Sequence, residues 1–155
     1  MFLKFLLVFL VSMVPLIELR GAVPMAVAMG LPEIPSLLVA ILGNMIPVPF
    51  IFLFARKFLT WGKDKKMIGK FCSWCLKKGE KGGKKLQKKA GRSLYVALFL
   101  FIGIPVPGTG AWTGTLAASI LNLDFKKTTI AALGGVLLAG CIMLAGSLGI
   151  ASFFS

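Results

Sequence analysis

The chain has 155 residues, of which 57% are hydrophobic and 15% are charged, and its mean hydropathy is +0.91. Soluble domains contain about 45–50% apolar and about 25% charged residues, so an ordinary cytosolic enzyme and a soluble nucleic-acid-binding protein are both disfavoured. The chain carries 18 Lys and Arg against 5 Asp and Glu, a net charge of +13, and it has no histidine, which excludes histidine-based catalysis and histidine metal ligands.

The first element consists of two short uncharged runs, 13 residues at 5–17 and 12 residues at 21–32. Each is shorter than the roughly 20 apolar residues that a membrane-spanning helix needs. The two runs therefore predict a hairpin of short helices. The start of the chain looks like a signal peptide, but the sequence after Ile17 lacks a small-x-small cleavage site, so we expect it to be retained.

Two charged residues, Glu18 and Arg20, separate these apolar runs. Ionisable groups inside a membrane are costly unless they are paired, hydrated or facing a cavity, so both are candidates for substrate or ion binding. On a regular helix, side chains two positions apart point in different directions, but a broken tip would let them converge on one polar pocket. The alternative is that both mark ordinary helix ends at a membrane interface.

The uncharged run 34–55, with 22 residues, is long enough to cross a membrane once. Asn44, Pro47 and Pro49 lie within it. The prolines free backbone carbonyls, which coordinate ions or polar head groups where they line a cavity, so these three residues are candidate binding residues. The alternative is a kinked helix in which Asn44 bonds to a neighbouring helix.

Residues 56–92 hold 14 of the 18 basic residues and two acids, a local net charge of +12. An excess of Lys and Arg in a short loop is typical of the cytoplasmic side of membrane proteins, so we place this loop in the cytoplasm. Within it, an apolar helical face predicts a segment that lies on anionic lipid; the face consists of Met67, Ile68, Phe71, Trp74 and Cys75. Nucleic-acid binding by this loop rests on charge alone and is disfavoured.

Cys72 and Cys75 form a CxxC motif in the basic loop. Such a motif is found in redox centres and as half of a zinc site, but the sequence offers no second pair and no histidine to complete four ligands. We therefore assign no metal site and no cofactor.

The run 93–123, with 31 uncharged residues, is long for one span and short for two. Its middle, residues 104–110, contains two prolines and two glycines, which should break a helix. Two half-helices that meet at a turn inside the membrane fit this length.

The string PVPGTGAWTG at 105–114 is a further candidate binding segment. It offers hydroxyl groups, an indole donor and glycine backbone N–H groups, which can receive an anion such as a phosphate where a helix begins. Its candidate residues are Pro105, Pro107, Thr109, Trp112 and Thr113.

The last run, 128–155, has 28 uncharged residues and is long enough for a second span. We predict an all-α integral membrane protein of one domain, with a hairpin plus a span at 1–55, the basic loop at 56–92, and a second hairpin plus a span at 93–155. Because the loop places the two halves in opposite orientations, they form two inverted repeats, each a re-entrant helical hairpin followed by a transmembrane helix. The alternative is four plain spans with proline kinks.

Three strings resemble the family named putative small multi-drug export proteins: ELRGAVPMAVAMGLP at 18–32, GNMIPVPFIFLF at 43–54 and IPVPGTGAWTGTLAASILNLDFKK at 104–127. This family is in turn similar to the DedA superfamily, whose fold pairs two re-entrant hairpins in inverted orientation and whose members are linked to lipid transport, including undecaprenyl phosphate, and to proton-motive force. The resemblance implies a small transporter in which Glu18 is the acidic residue of the first hairpin and Pro24 its downstream proline. The second DedA hairpin normally carries arginines, and this tip has none, which leaves Arg20 as the cation within the membrane.

We therefore predict a multi-pass transporter of the cytoplasmic membrane, and not an enzyme, that moves an amphiphilic anionic substrate such as a lipid phosphate. Arg20 and the 105–114 backbone would receive the anionic group, and Glu18 would carry a coupling proton or balance Arg20. One alternative is export of cationic compounds, with Glu18 as the counter-ion; another is a membrane scaffold that does not transport. The expected partners are membrane lipid, anionic head groups at the basic loop, and a second copy of the chain.

Overall fold

The computed structural model describes residues 1–106 and 108–154, with the backbone alone at 78, 79, 82, 83, 85, 86 and 89. Every regular element in these residues is an α-helix, which agrees with the predicted all-α class. The helices are α1 Phe2–Met13, α2 Glu18–Ala28, α3 Glu33–Met45, α4 Pro47–Gly62, α5 Gly69–Ala90, α6 Ser93–Gly103, α7 Ala111–Ile120 and α8 Phe125–Phe154.

The first half of the chain begins with the two short helices that its apolar runs predict. α1 packs closely against α3, because Gly43 lets the backbones approach: a Cβ built at Gly43 would lie 2.5 Å from the carbonyl oxygen of Phe9. The buried hydroxyl of Ser12 donates a hydrogen bond to the carbonyl of Ala40 across the same contact. Small residues and hydroxyl bonds of this kind are the usual means by which helices associate in lipid.

The helix that contains the predicted span 34–55 continues beyond the uncharged run. Glu33–Gly62 forms one apolar stretch of 30 helical residues, in which α3 and α4 are separated by Ile46 alone. Arg56 and Lys57 end the uncharged run but do not stop a helix, since neither residue removes a backbone donor. Pro47 occupies the first position of α4, where a missing N–H group costs least.

Much of the basic segment 56–92, predicted as a loop, is helical. It contains the last turns of α4 and the 22 residues of α5. Cys72 is buried against Gly62, and the side chains of Arg56 and Glu80 form an ion pair of 3.5 Å between the two helices. Phe71 and Trp74 are 65% and 57% exposed, so the predicted apolar face is not covered by the described part of the protein.

The second half contains the predicted break: α6 and α7 are separated by residues 104–110, and α8 follows with 30 residues. Two helical stretches, Glu33–Gly62 and Phe125–Phe154, are long and apolar enough to cross a membrane. The inverted-repeat and re-entrant arrangement remains a prediction.

The helices of the two halves exchange packing partners. The first short helix of each half packs on its own long helix, α1 on α3 and α6 on α8. The second short helix packs on the long helix of the other half, α2 on α8 and α7 on α4. This exchange brings the start of α2 next to the break between α6 and α7.

Candidate functional site

The break between α6 and α7 leaves two helix ends that need hydrogen-bond partners. The last carbonyls of α6 and the first N–H groups of α7 have no partner within their own helices. Because a helix carries partial positive charge at its N-terminus and partial negative charge at its C-terminus, the two ends favour groups of opposite charge.

The carboxylate of Glu18 binds the N-terminus of α7. Its Oε2 accepts a hydrogen bond of 3.2 Å from the N–H of Ala111, and its Oε1 accepts one of 2.9 Å from the N–H of Trp112. Glu18 is only 4% exposed, so these bonds form away from solvent. A carboxylate at this place satisfies two unpartnered donors and complements the helix dipole.

The guanidinium of Arg20 binds the other side of the break, at the C-terminal end of α6. Its acceptors are the carbonyls of Ile102 at 3.3 Å, Ile104 at 3.1 Å and Val106 at 2.5 Å, and both the carbonyl and the hydroxyl of Thr109, the hydroxyl at 2.9 Å. Arg20 thus holds the carbonyl-rich side of the break as Glu18 holds its N–H side.

Glu18 and Arg20 come to the same break but serve opposite ends of it. Among the described residues, Arg56 and Glu80 form an ion pair, whereas Glu18 and Arg20 do not contact each other in this way. Each charged side chain instead binds the helix end of opposite partial charge. These contacts remove the cost of leaving backbone groups unpaired in an apolar environment. The structure therefore brings the two residues together with the 105–114 tip, through contacts 86 to 94 positions apart in sequence.

The backbone around this contact adopts conformations that most residues avoid. Leu16 and Glu18 have φ angles of 72° and 51°, and Gly110 has φ 150° and ψ −174°. A Cβ at Gly110 would lie 2.8 Å from Cδ of Glu18. Left-handed non-glycine residues are strained, and such strain concentrates at functional sites. Glycine at 110 is therefore required both for the backbone angle and for the approach of the carboxylate.

A cavity of about 280 Å³ lies beside the break. Glu18, Thr109, Trp112 and Thr113 contribute to its lining, and its apolar walls include Leu16, Ile51 and Leu116. Among the residues that the structure describes, Glu18 is the single charged residue that lines it. The buried indole nitrogen of Trp112 has no hydrogen-bond partner in the same part of the chain. The cavity thus combines one carboxylate with largely apolar walls.

Other predicted site residues lie elsewhere. Pro24 lines a second cavity, between α2 and α8. Asn44 is buried near the C-terminal end of α3, and Pro47 and Pro49 lie in the first turn of α4; none of the three lines the cavity at Glu18. Pro105 is half-buried in the break and also outside this lining. Pro107 lies outside the described residues.

Several residues of the site were not singled out individually from the sequence. Ile51 reaches the cavity from α4, and nothing in an apolar run marks the residue that faces a cavity. Gly108, which lines the cavity, and Gly110, with φ angles of 84° and 150°, carry the turn of the break. The sequence signal for these two glycines was that they lie in a Pro- and Gly-rich string, which predicts a turn.

The described residues contain no group of three or more His, Cys, Asp or Glu side chains that could hold a metal ion. Cys72, Cys75 and Cys141 are free thiols there.

Comparison with curated proteins and with solved structures gave no match. The profile of the family described as "Putative small multi-drug export protein" matches residues 18–142, a range that includes Glu18, Arg20 and the whole break. The export description and the two long apolar helices indicate a membrane protein with a transport function. The similarity to the DedA superfamily remains a prediction. By this match over most of its length, the chain belongs to the putative small multi-drug export protein family.

Proposed function

We propose that the chain exports amphiphilic cations and that Glu18 is the counter-ion for the substrate. The observation that carries this proposal is the composition of the cavity at the break, whose described lining has one carboxylate and no basic side chain. Apolar walls with a single charge of opposite sign suit a lipophilic cation. The export description of the family supports the same substrate class.

The same geometry favours a cation over a lipid phosphate. The donors expected to receive an anion are already engaged: Arg20 donates to backbone carbonyls and to Thr109, and the first N–H groups of α7 donate to Glu18. An anion in the cavity would face the carboxylate without a free guanidinium to balance it, and like charges in a low-dielectric site repel strongly. A lipid phosphate is therefore less favoured as the substrate than an amphiphilic cation.

Substrate binding at Glu18 would act directly on the position of α7. A carboxylate has about four lone-pair sites, and two are used by Ala111 and Trp112, so a cation can be received beside them. The cation draws charge density from the bonds that hold α7, and the ring of Trp112 offers a face for cation–π contact. Protonation of Glu18 would weaken the same bonds. Cation and proton therefore compete for one group, which is the requirement for proton-coupled exchange.

The arrangement in the membrane is also part of the proposal. The corresponding packing of the two halves supports two repeats of a hairpin and a long helix. We place them in inverted orientation in the cytoplasmic membrane, with re-entrant hairpins, because the net charge of +12 on 56–92 puts this segment on the inner side. A second copy of the chain would complete the translocation path. Labelling of Cys75, which is half-buried, by a membrane-impermeant maleimide tests the orientation, because only inside-out vesicles should react.

The substrate class is tested with two probes of equal size and opposite charge, tetraphenylphosphonium and tetraphenylborate, in reconstituted vesicles. We expect the wild type to transport and bind the cation and not the anion. Glu18→Gln should weaken cation binding by about 2 kcal/mol, or roughly thirtyfold, because a desolvated charge partner is lost. Glu33→Gln is the matched control: Glu33 is an exposed acid at the start of α3, outside the cavity, and should behave as wild type.

A second variant separates substrate recognition from folding. Arg20→Lys disturbs the other side of the break but keeps the Glu18 carboxylate, so it should lower stability while cation binding by the folded fraction is retained. Transport of tetraphenylborate that depends on Arg20 would overturn the proposal in favour of an anionic substrate. If the wild type transports neither probe, and cellular function is lost on deletion of part of 63–89 but kept in Glu18→Gln, the scaffold alternative is favoured instead.

A further inference from the structure

Another cavity, of about 550 Å³, lies between the N-terminal halves of α6 and α8 and shares no lining residue with the cavity at Glu18. One end is formed by Arg92, directly before α6, and Lys127, in the first turn of α8. Its walls continue along both helices and include Val96, Phe99 and Ile130. We call this cavity the α6–α8 groove.

The end of the α6–α8 groove is positively charged. Lys127 Nζ lies 5.6 Å from the ring centroid of Tyr95, and Tyr95 also lines the groove. The nearby acid, Asp124, is engaged in capping α8, since its Oδ1 accepts a hydrogen bond of 3.0 Å from the backbone N–H of Lys127. In the part of the chain that the structure describes, no carboxylate forms an ion pair with Arg92 or Lys127.

The remainder of the groove is apolar and faces outward. Val96 and Ile130 are 57% and 70% exposed, so their side chains are not covered by the described helices. Gly134 keeps the floor of the groove open beside Phe99, because a Cβ at 134 would lie 3.0 Å from the Phe99 ring. A basic end joined to an outward-facing apolar channel matches the two parts of a phospholipid in charge and in polarity.

We propose that the α6–α8 groove binds one anionic phospholipid, with its phosphate between Arg92 and Lys127 and one acyl chain along Val96, Phe99 and Ile130. The charge complementarity of the basic end selects an anionic head group, and the exposed apolar walls select a lipid over a free phosphate. The inference does not depend on the export proposal, because the two cavities are lined by different residues.

The test counts lipids bound to the detergent-purified protein by native mass spectrometry, with phosphatidylglycerol and phosphatidylcholine of identical acyl chains. We expect one phosphatidylglycerol to bind in preference to phosphatidylcholine. The double variant Arg92→Gln with Lys127→Gln should lower the affinity for phosphatidylglycerol about twenty-five-fold, because each cation contributes about fivefold. Lys126→Gln removes the same charge one position away, outside the groove, and should leave the affinity unchanged.

Two further arms test the apolar part. Ile130→Trp fills the groove and should lower binding of both lipids, whereas Leu133→Trp, on an exposed part of the same helix outside the groove, should not. Inorganic phosphate should fail to displace the lipid. The proposal is overturned by equal affinity for the two lipids, by an equal loss in Lys126→Gln and the double variant, by normal lipid binding in Ile130→Trp, or by displacement with inorganic phosphate.

Discussion

Replacement of Gly110 by alanine should break the contact between Glu18 and α7. Gly110 has φ 150° and ψ −174°, a region that is essentially restricted to glycine. The added Cβ would also lie 2.8 Å from Cδ and 2.9 Å from Oε1 of Glu18, so the carboxylate must move away from α7. Gly108 is the matched control: its φ is 84°, but a Cβ there meets no atom within 4 Å among the described residues.

The two substitutions should differ in size for that reason. Backbone strain alone costs about 1–3 kcal/mol, and this is the expected effect of Gly108→Ala. Gly110→Ala adds the loss of two charge-assisted hydrogen bonds, worth about 1.5–3 kcal/mol each. The total is at least about 4 kcal/mol, a large part of the ~5–15 kcal/mol by which a typical protein is stable.

The free energy of unfolding can be measured in mixed micelles by titration with a denaturing detergent, followed by tryptophan fluorescence. A double-mutant cycle with Glu18→Ala isolates the contact, because Gly110→Ala should cost only the strain once the carboxylate is gone. Equal losses for Gly110→Ala and Gly108→Ala, or strict additivity in the cycle, would refute the assigned role of Gly110.

Three further predictions concern the same measurement of unfolding. Arg20→Lys should cost about 2–4 kcal/mol, because one ammonium group cannot reach acceptors on both Ile102 and Thr109 as the guanidinium does; an unchanged transition would contradict this. Ser119→Ala should cost only about 0.6 kcal/mol, the typical value for a helix–helix hydrogen bond in lipid, since it removes one bond of 2.6 Å to the carbonyl of Phe52. Gly43→Leu should cost about 1–3 kcal/mol or more by forcing α1 away from α3, and a stability equal to wild type would rule out the close contact.

The break in the second half was predictable because its cause is local. Proline removes a backbone donor, and glycine permits φ angles that other residues avoid. Residues 104–110 therefore predict a turn from local sequence alone, whatever the rest of the fold is. The end of the first long helix was not predictable in the same way. Arg56 and Lys57 change the charge of the sequence but not its helix propensity, and the helix continues to Gly62.

The candidate site was predictable in its residues but not in its contacts. The cost of charge in a membrane marks Glu18 and Arg20 wherever they lie in the fold. The two side chains bind opposite ends of a distant break because of the way the helices pack together. This packing cannot be derived from a single sequence. In the structure the two charges come to the same break but divide there, since Glu18 lines the cavity and Arg20 binds backbone carbonyls.

The contact between residues 18–20 and the break also has a consequence for the order of synthesis. Translation produces the two charges long before the helix ends that they hold, which lie 82 to 94 residues later in the chain. During insertion, the first half must therefore keep Glu18 and Arg20 hydrated or otherwise paired until α6 and α7 arrive. In the second half the Thr109 hydroxyl contacts the carbonyls of Ile104 and Val106, but the N–H groups of Ala111 and Trp112 still depend on Glu18. We expect that neither half will insert stably into the membrane when it is expressed alone, and that co-expression of the two halves will restore stable insertion of both.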